Sequence, residues 1–380
     1  MKKYFILAAA ALVTLAACSK NEIDNTNSGP KEISYNAVAG KNATKAIINN
    51  AFYAPTDPSF GIWGLYQADK WSTNHSASVW IGASANAATK ITYGKDAANT
   101  ANSEAWRNRS GVDYWPITGS LVFMGYSPFN YWNATEETAT AVPAAISKTT
   151  AESVDYVTLT CENFSSATGA FVTDLMWSDA VEKSANDTNY DADGTGATTY
   201  NGVPVVFHHA LSQITVFAKT DKDYAAQGYT FTITALSVTV DDNATLTVAD
   251  NLSADPTVTW TEPATDATRT VLSAASPALT TSYVKQGDSF LVIPQTLTAA
   301  QDIISVTYKV THNEVESTAT RTINLTAGDS VQLSRFEKNT KYNLNLVFSI
   351  EEIKYSPDII DWEASATSEY EVPNDANPLS

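Results

Sequence analysis

The amino-acid sequence predicts an all-β protein built as two tandem β-sandwich domains. Three observations carry that expectation. Short alternating apolar/polar runs such as "YTFTITALSVTV", "NATLTVADNLS" and "IISVTYKVTHN" recur with turn residues between them, at the spacing of sandwich strands. A sustained helical period is missing, although "TANSEAWRNRS" and "DSVQLSRFEKNT" have room for a turn or two. Seven of the nine tryptophans fall between Trp63 and Trp177, so composition shifts partway along the chain, as it does across a domain boundary.

The first element is an export signal. "MKKYFILAAAALVTLAACSK" has two lysines, an apolar run from Phe5 to Leu15 and small residues before Cys18. The run is too short to span a bilayer in the mature protein. "LAAC" resembles the lipobox of bacterial lipoproteins, which implies cleavage after residue 17 and a diacylated Cys18; the plain alternative is a secretory signal that happens to precede a cysteine. Two acyl chains hold a protein firmly on a membrane, each buried methylene contributing about 0.8 kcal/mol. With Cys18 acylated only Cys161 is left, so no intrachain disulfide is expected.

Residues 18–45 come next as a polar tether followed by a short strand. In "EISYNAVAG", Ile33, Tyr35, Ala37 and Ala39 alternate with Ser34, Asn36 and Val38, one face apolar and the other not. The first sandwich is assigned to 46–200, through runs such as "FGIWGLYQ", "LVFMGYSP" and "VDYVTLTCENF". The polar stretch "VEKSANDTNYDADGTGATTYNGVP" marks its end, and the second sandwich is assigned to 201–362. Residues 363–380 form a tail in which Ala364, Ala366, Ser368, Tyr370 and Val372 alternate with Ser365, Thr367, Glu369 and Glu371. That is a strand pattern where a frayed end is the ordinary expectation.

Charge and residue chemistry narrow the function. The net charge is −18, or −20 once Lys2 and Lys3 leave with the signal. No Lys/Arg cluster offers itself to a polyanion, so nucleic acid is excluded as a partner. His208 and His209 are adjacent on a strand, face opposite ways and cannot share a metal. Asn189, Asp191, Asp193 and Gly194 echo the first half of a calcium loop, but Tyr200 stands where the closing bidentate Glu belongs; a solvated linker is the other reading. Cys161 sits in a β-run without a basic neighbour, and no Gly-x-Ser-x-Gly elbow occurs. No enzyme, metal or cofactor is expected. The clustered tryptophans suit either a sugar-stacking platform or, as is usual in a sandwich, the core.

At "VVFHHALSQITVFAK", "FLVIPQTL", "NTKYNLNLVF" and "IIDW" the chain resembles the fimbrillin family of Bacteroidales, the subunits of type V pili. Phe207, His209, Leu211 and Ser212 match the first strand of that family's C-terminal domain; Ile293, Pro294 and Gln295 match its "IPQ" strand. Asn339, Thr340 and Tyr342 match a late turn and strand, and Asp361 with Trp362 the closing "DW". The resemblance implies two transthyretin-like Greek-key sandwiches behind a lipoprotein signal and a propeptide. It implies export to the outer membrane and removal of the N-terminal segment by a trypsin-like protease. A donor strand from the neighbouring subunit then fills the vacated groove. The family's cut follows an arginine; here "ATKAI" offers Lys45 before Ala46, so a lysine-accepting protease is needed. The implied donor face is Ala364, Ala366, Tyr370 and Val372. Expected partners are neighbouring pilus subunits and, through the lipid, the outer membrane. The alternative is a tip or surface-anchored adhesin that binds a glycan or a host protein.

Overall fold

The computed structural model describes residues 32–39, 59–69, 71, 78–94, 105–108, 110–133, 138–141, 143–151, 154–165, 174–185, 187, 202–241, 243–261, 266–298, 303–326 and 332–362. The fold is all-β, as the alternation predicts. Among these residues the one helical element is a single 3-10 turn, Ala225–Gln227.

The first unit is a sheet that closes on itself. In ring order its strands are Ser59–Gln67, Ser120–Ser127, Met176–Ser178, Val203–His209, Tyr35–Ala39, Ala105–Asn108 and Thr89–Gly94, the last pairing back onto Ser59–Gln67. Alternation sorts each strand between two apolar environments. Phe60, Ile62, Leu121, Phe123, Val205 and Phe207 point into the ring with Tyr35 and Trp106. Trp63, Leu65, Val122, Met124 and Tyr126 point outward. A strand buried on both faces is written as a nearly continuous apolar run, which is why "FGIWGLY" and "LVFMGY" lack a polar face. The outward side chains pack against a four-stranded sheet, Ala144–Ala151, Val154–Ser165, Asn243–Asp250 and Thr257–Trp260. Between the two layers lie Val157, Leu159, Cys161, Leu246 and Val248, all fully buried.

The second unit is a sandwich of two four-stranded sheets. One is ordered Val284–Val292, Ser212–Thr220, Thr340–Phe348, Ile353–Asp361; the other Asp266–Leu272, Tyr229–Asp241, Ile303–His312, Val315–Asn324. Ile214, Val216 and Ala218 of the first face Ile233, Val238 and Ile304 of the second in one core.

Strand pairing runs across the expected division at 200/201. Val203–His209, which the resemblance places in the second domain, is a stave of the first unit's ring. Asn243–Asp250 follows Tyr229–Asp241 with a single residue between them, yet pairs with Val154–Ser165 of the first unit. The two units are thus stitched by chain crossings. At one of them buried Gln295, the Gln of "IPQ", accepts the Asp241 amide proton at 2.9 Å and donates to the Ile293 carbonyl at 2.9 Å. These bonds satisfy backbone groups that the crossing would otherwise bury unpaired.

Candidate subunit-pairing slot

The strand Tyr35–Ala39 occupies a slot in the ring wall. It runs parallel to Val203–His209 over five residues, from Tyr35 opposite Val203 to Ala39 opposite Phe207. On its other side a single pair, Tyr35 with Trp106, joins it to Ala105–Asn108. Ile33, Tyr35 and Ala37 point into the ring and are 2%, 2% and 0% exposed, which follows from period-two alternation in "ISYNA". The Tyr35 ring meets Phe60 and Phe123 edge-on, each at 6.0 Å between centroids. Burying an Ile and an aromatic side chain contributes about 1.5–3 kcal/mol each. The trio therefore supplies about 5 kcal/mol, comparable with the whole folding stability of many domains, about 5–15 kcal/mol.

Small groups around the slot fix where the strand starts. The Ile33 amide donates to the Asp113 carbonyl at 2.8 Å, and the Val203 amide to the Ser34 carbonyl at 2.7 Å. Asp113 accepts from Asn108 Nδ2 at 3.1 Å and, at a longer 3.5 Å, from the Tyr35 hydroxyl. Burial raises the Asp113 carboxyl pKa above its ordinary value, and nearby Glu32 adds to the rise; the two donated hydrogen bonds oppose it. Glu32 lies 3.6 Å from Arg107 in a half-exposed ion pair, which is worth at most about 1 kcal/mol. Gly202, at φ +97°, carries the chain past the Tyr35 backbone.

The root of the tail lies at the opposite end of the same Val203–His209 strand. Ile353–Asp361 is the edge strand of its sheet and leads into Trp362, which is 6% exposed. The indole stacks on the His209 ring at 3.8 Å and 10°, and Lys341 Nζ lies 5.2 Å from the indole centroid. His209 Nδ1 contacts Asp174 at 2.8 Å. His208 faces the other way, onto Trp177 and Asp179. Each of the two histidines has its own aromatic and carboxylate neighbour, and His312 stacks on Tyr229. Among the described residues no group of three metal-ligating side chains converges. Trp63, Trp71, Trp106, Trp115, Trp177 and Trp362 are buried, while Trp80 is half exposed.

Several expected positions fall outside the described residues: Cys18, Lys45, Ala46, the half calcium loop at 189–194, and the tail with Ala364, Ala366, Tyr370 and Val372. The side chain of Ala39 falls there too. Sequence reading missed Asp113, Arg107 and Gly202. Only the Gly in "NGVP" carries a visible signal, as part of the polar stretch that marks the division between the domains.

A ring completed by a strand from near the chain's start, fused to a second sandwich, defines an all-β protein. Residues 66–362 match the profile of the fimbrillin-like family, and the chain belongs to that family, whose members are structural and adhesion-type proteins and are not known as enzymes. A solved fimbrial protein from Bacteroides vulgatus is 17% identical, with a TM-score of 0.48, covering 87% of this chain and 99% of its own. A Bacteroides uniformis structure, provisionally named a cell adhesion protein, is 19% identical with a TM-score of 0.42 and the same coverage. No curated protein matches the chain. Family membership supports a fimbrial subunit role, assembly with other pilus subunits and a cell-surface location.

Proposed function

We propose that this protein is a structural subunit of a cell-surface fimbria that polymerises by strand exchange. It is exported as a lipoprotein acylated on Cys18 and anchored in the outer membrane, then cut between Lys45 and Ala46. The cut releases the strand carrying Ile33, Tyr35, Ala37 and Ala39 as a propeptide. The tail of a neighbouring subunit, through Ala364, Ala366, Tyr370 and Val372, fills the vacated slot and supports adhesion through the assembled fibre. The observation that carries this reading is the single strand near the chain's start that closes the ring. Taking such a strand away exposes an apolar trough flanked by unpaired backbone groups, a state that recruits another strand. A contact of that kind is head-to-tail and open-ended, so repetition gives a filament.

Deleting residues 363–380 tests it. The expected product is a folded chain that no longer gives a ladder on SDS gels run without boiling, and an undiminished ladder would overturn the proposal. Mass spectrometry of surface material separates this subunit from an anchored adhesin: a chain starting at Ala46 is expected here, whereas lipid on Cys18 in the surface form favours the anchor.

A further inference from the structure

The slot and the tail share a residue pattern, but in opposite directions. Read forward from position 33, the inward residues of the slot strand are Ile33, Tyr35 and Ala37, with Ala39 next in the alternation. Read backward from position 372, the tail offers Val372, Tyr370, Ser368 and Ala366. In each case the order is β-branched, tyrosine, small, small. Resting on the strand-exchange reading above, we infer that the tail of a second copy of this chain enters the slot reversed relative to the strand it replaces. Tyr370 takes the place of Tyr35, Val372 that of Ile33 and Ser368 that of Ala37.

Two features bear on this placement, the first on its direction and the second on the position of the tyrosine. The first is volume. The reversed fit exchanges Ile for Val, one methylene fewer, keeps the tyrosine, and adds one hydroxyl at Ala37. The same-direction fit with tyrosine on tyrosine puts Ser368 where Ile33 is 2% exposed and Val372 where Ala37 is 0% exposed. It leaves a void at one position and overfills the other, and close-packed cores resist both. The tyrosine matters most, because its pocket is bounded by Phe60 and Phe123 and its hydroxyl is aimed at Asp113.

The second feature is charge; it agrees with tyrosine on tyrosine but does not choose the direction, since the forward strand puts Glu369 at position 34 where the reversed strand puts Glu371. Tyr35 pairs with Trp106 in an antiparallel sense, so position 34 lies across from Arg107. In the precursor Arg107 meets Glu32 at 3.6 Å, while its Nε is buried without a hydrogen-bond partner. Loss of residues up to Lys45 removes Glu32 as well. With Tyr370 at position 35 and the strand reversed, Glu371 falls at position 34 and restores a carboxylate opposite the guanidinium. The acidic face of the tail thereby finds a cationic partner at this site. Reversal also changes the pairing. The strand that ran parallel to Val203–His209 is replaced by one antiparallel to it, with Tyr370 opposite Val203 and Ala366 opposite Phe207.

Cysteine cross-linking of assembled material tests direction and register together. Pro204 faces outward opposite position 36, which the reversed strand fills with Glu369 and the forward strand with Glu371. Chains carrying Pro204→Cys with Glu369→Cys are expected to give disulfide-linked, boiling-resistant ladders that reductant collapses to monomer; Pro204→Cys with Glu371→Cys is expected to give none. Val206→Cys with Thr367→Cys, against Val206→Cys with Pro373→Cys, repeats the comparison at a second position should Pro204 prove needed for folding. Linkage through Glu371→Cys or Pro373→Cys overturns the reversal and leaves tail exchange standing. Absence of every cross-link in chains whose unboiled ladders still depend on residues 363–380 overturns the register. Ladders that survive deletion of 363–380 overturn strand exchange itself.

Discussion

Gly202 and Tyr35 meet backbone to backbone: a β-carbon placed on Gly202 would lie 2.7 Å from the Tyr35 carbonyl carbon and 2.8 Å from its amide nitrogen. Real side chains do not tolerate such distances, and φ of +97° is itself a glycine conformation. Gly202→Ala is therefore expected to destabilise the full chain by about 2–4 kcal/mol, the sum of a strained dihedral and a displaced strand. Thermal unfolding of the purified full-length chain reads this directly. An unchanged midpoint would show that the strand does not sit against Gly202.

Tyr35 fills the ring between Phe60 and Phe123. Tyr35→Ala leaves a cavity that close-packed aromatic neighbours cannot close, at a cost of about 3–5 kcal/mol. Tyr35→Phe keeps the ring and gives up the long hydroxyl contact with Asp113, at a cost of about 1 kcal/mol or less. Denaturant midpoints should separate the two variants clearly. The Ala variant should also release its N-terminal segment faster under limited proteolysis.

The Asp113 carboxyl has its pKa raised by burial, so its charged form is less favoured in the folded chain than in the unfolded one. A raised folded-state pKa means stability that is complete in acid, below the ordinary carboxylate range, and lost as pH climbs through the raised value. Asp113→Asn removes the group that must be charged while keeping an acceptor and a donor for Asn108 and Tyr35. The variant should match the parent near pH 3 and unfold at a higher temperature near neutral pH. A gap that widens toward acid would contradict this assignment.

Cys161 is 0% exposed between the ring and its covering sheet, and burial pushes its thiol pKa up to about 12. Thiolate is the reactive form, so a chain beginning at Ala46 should titrate no thiol with an aromatic disulfide reagent while folded, and one after denaturation. Labelling at the folded baseline would mean that the covering sheet opens locally.

Local patterning made much of this fold readable. The alternation through "ISYNAVA" placed Ile33, Tyr35 and Ala37 on one face, because successive strand side chains must point opposite ways. The opposed faces of His208 and His209 followed from the same rule. What alternation does not encode is the identity of the neighbouring strand. The Val203–His209 run looked like the first strand of a new domain because a polar stretch precedes it, yet it pairs with Tyr35–Ala39 and Met176–Ser178. Asn243–Asp250 likewise reads as an ordinary next strand, and only its apolar residues Leu246 and Val248, seated against Val157 and Leu159, assign it to the first unit. The features that secure the slot are single residues, Gly202, Asp113 and Arg107, and single residues leave no periodic trace. The tryptophan cluster split as sandwich packing predicts, most of it in cores and Trp80 at the surface.

The ring's closing strand has a consequence for the order of folding. Its partner, Val203–His209, lies far along the chain, and the strand holds that partner at five positions while meeting Ala105–Asn108 at one. Contacts separated by so much sequence form late, since the intervening loop must be ordered first. The earliest described stretch of the chain is thus expected to join the ring late, and a stave that joins late is one the rest of the wall forms without.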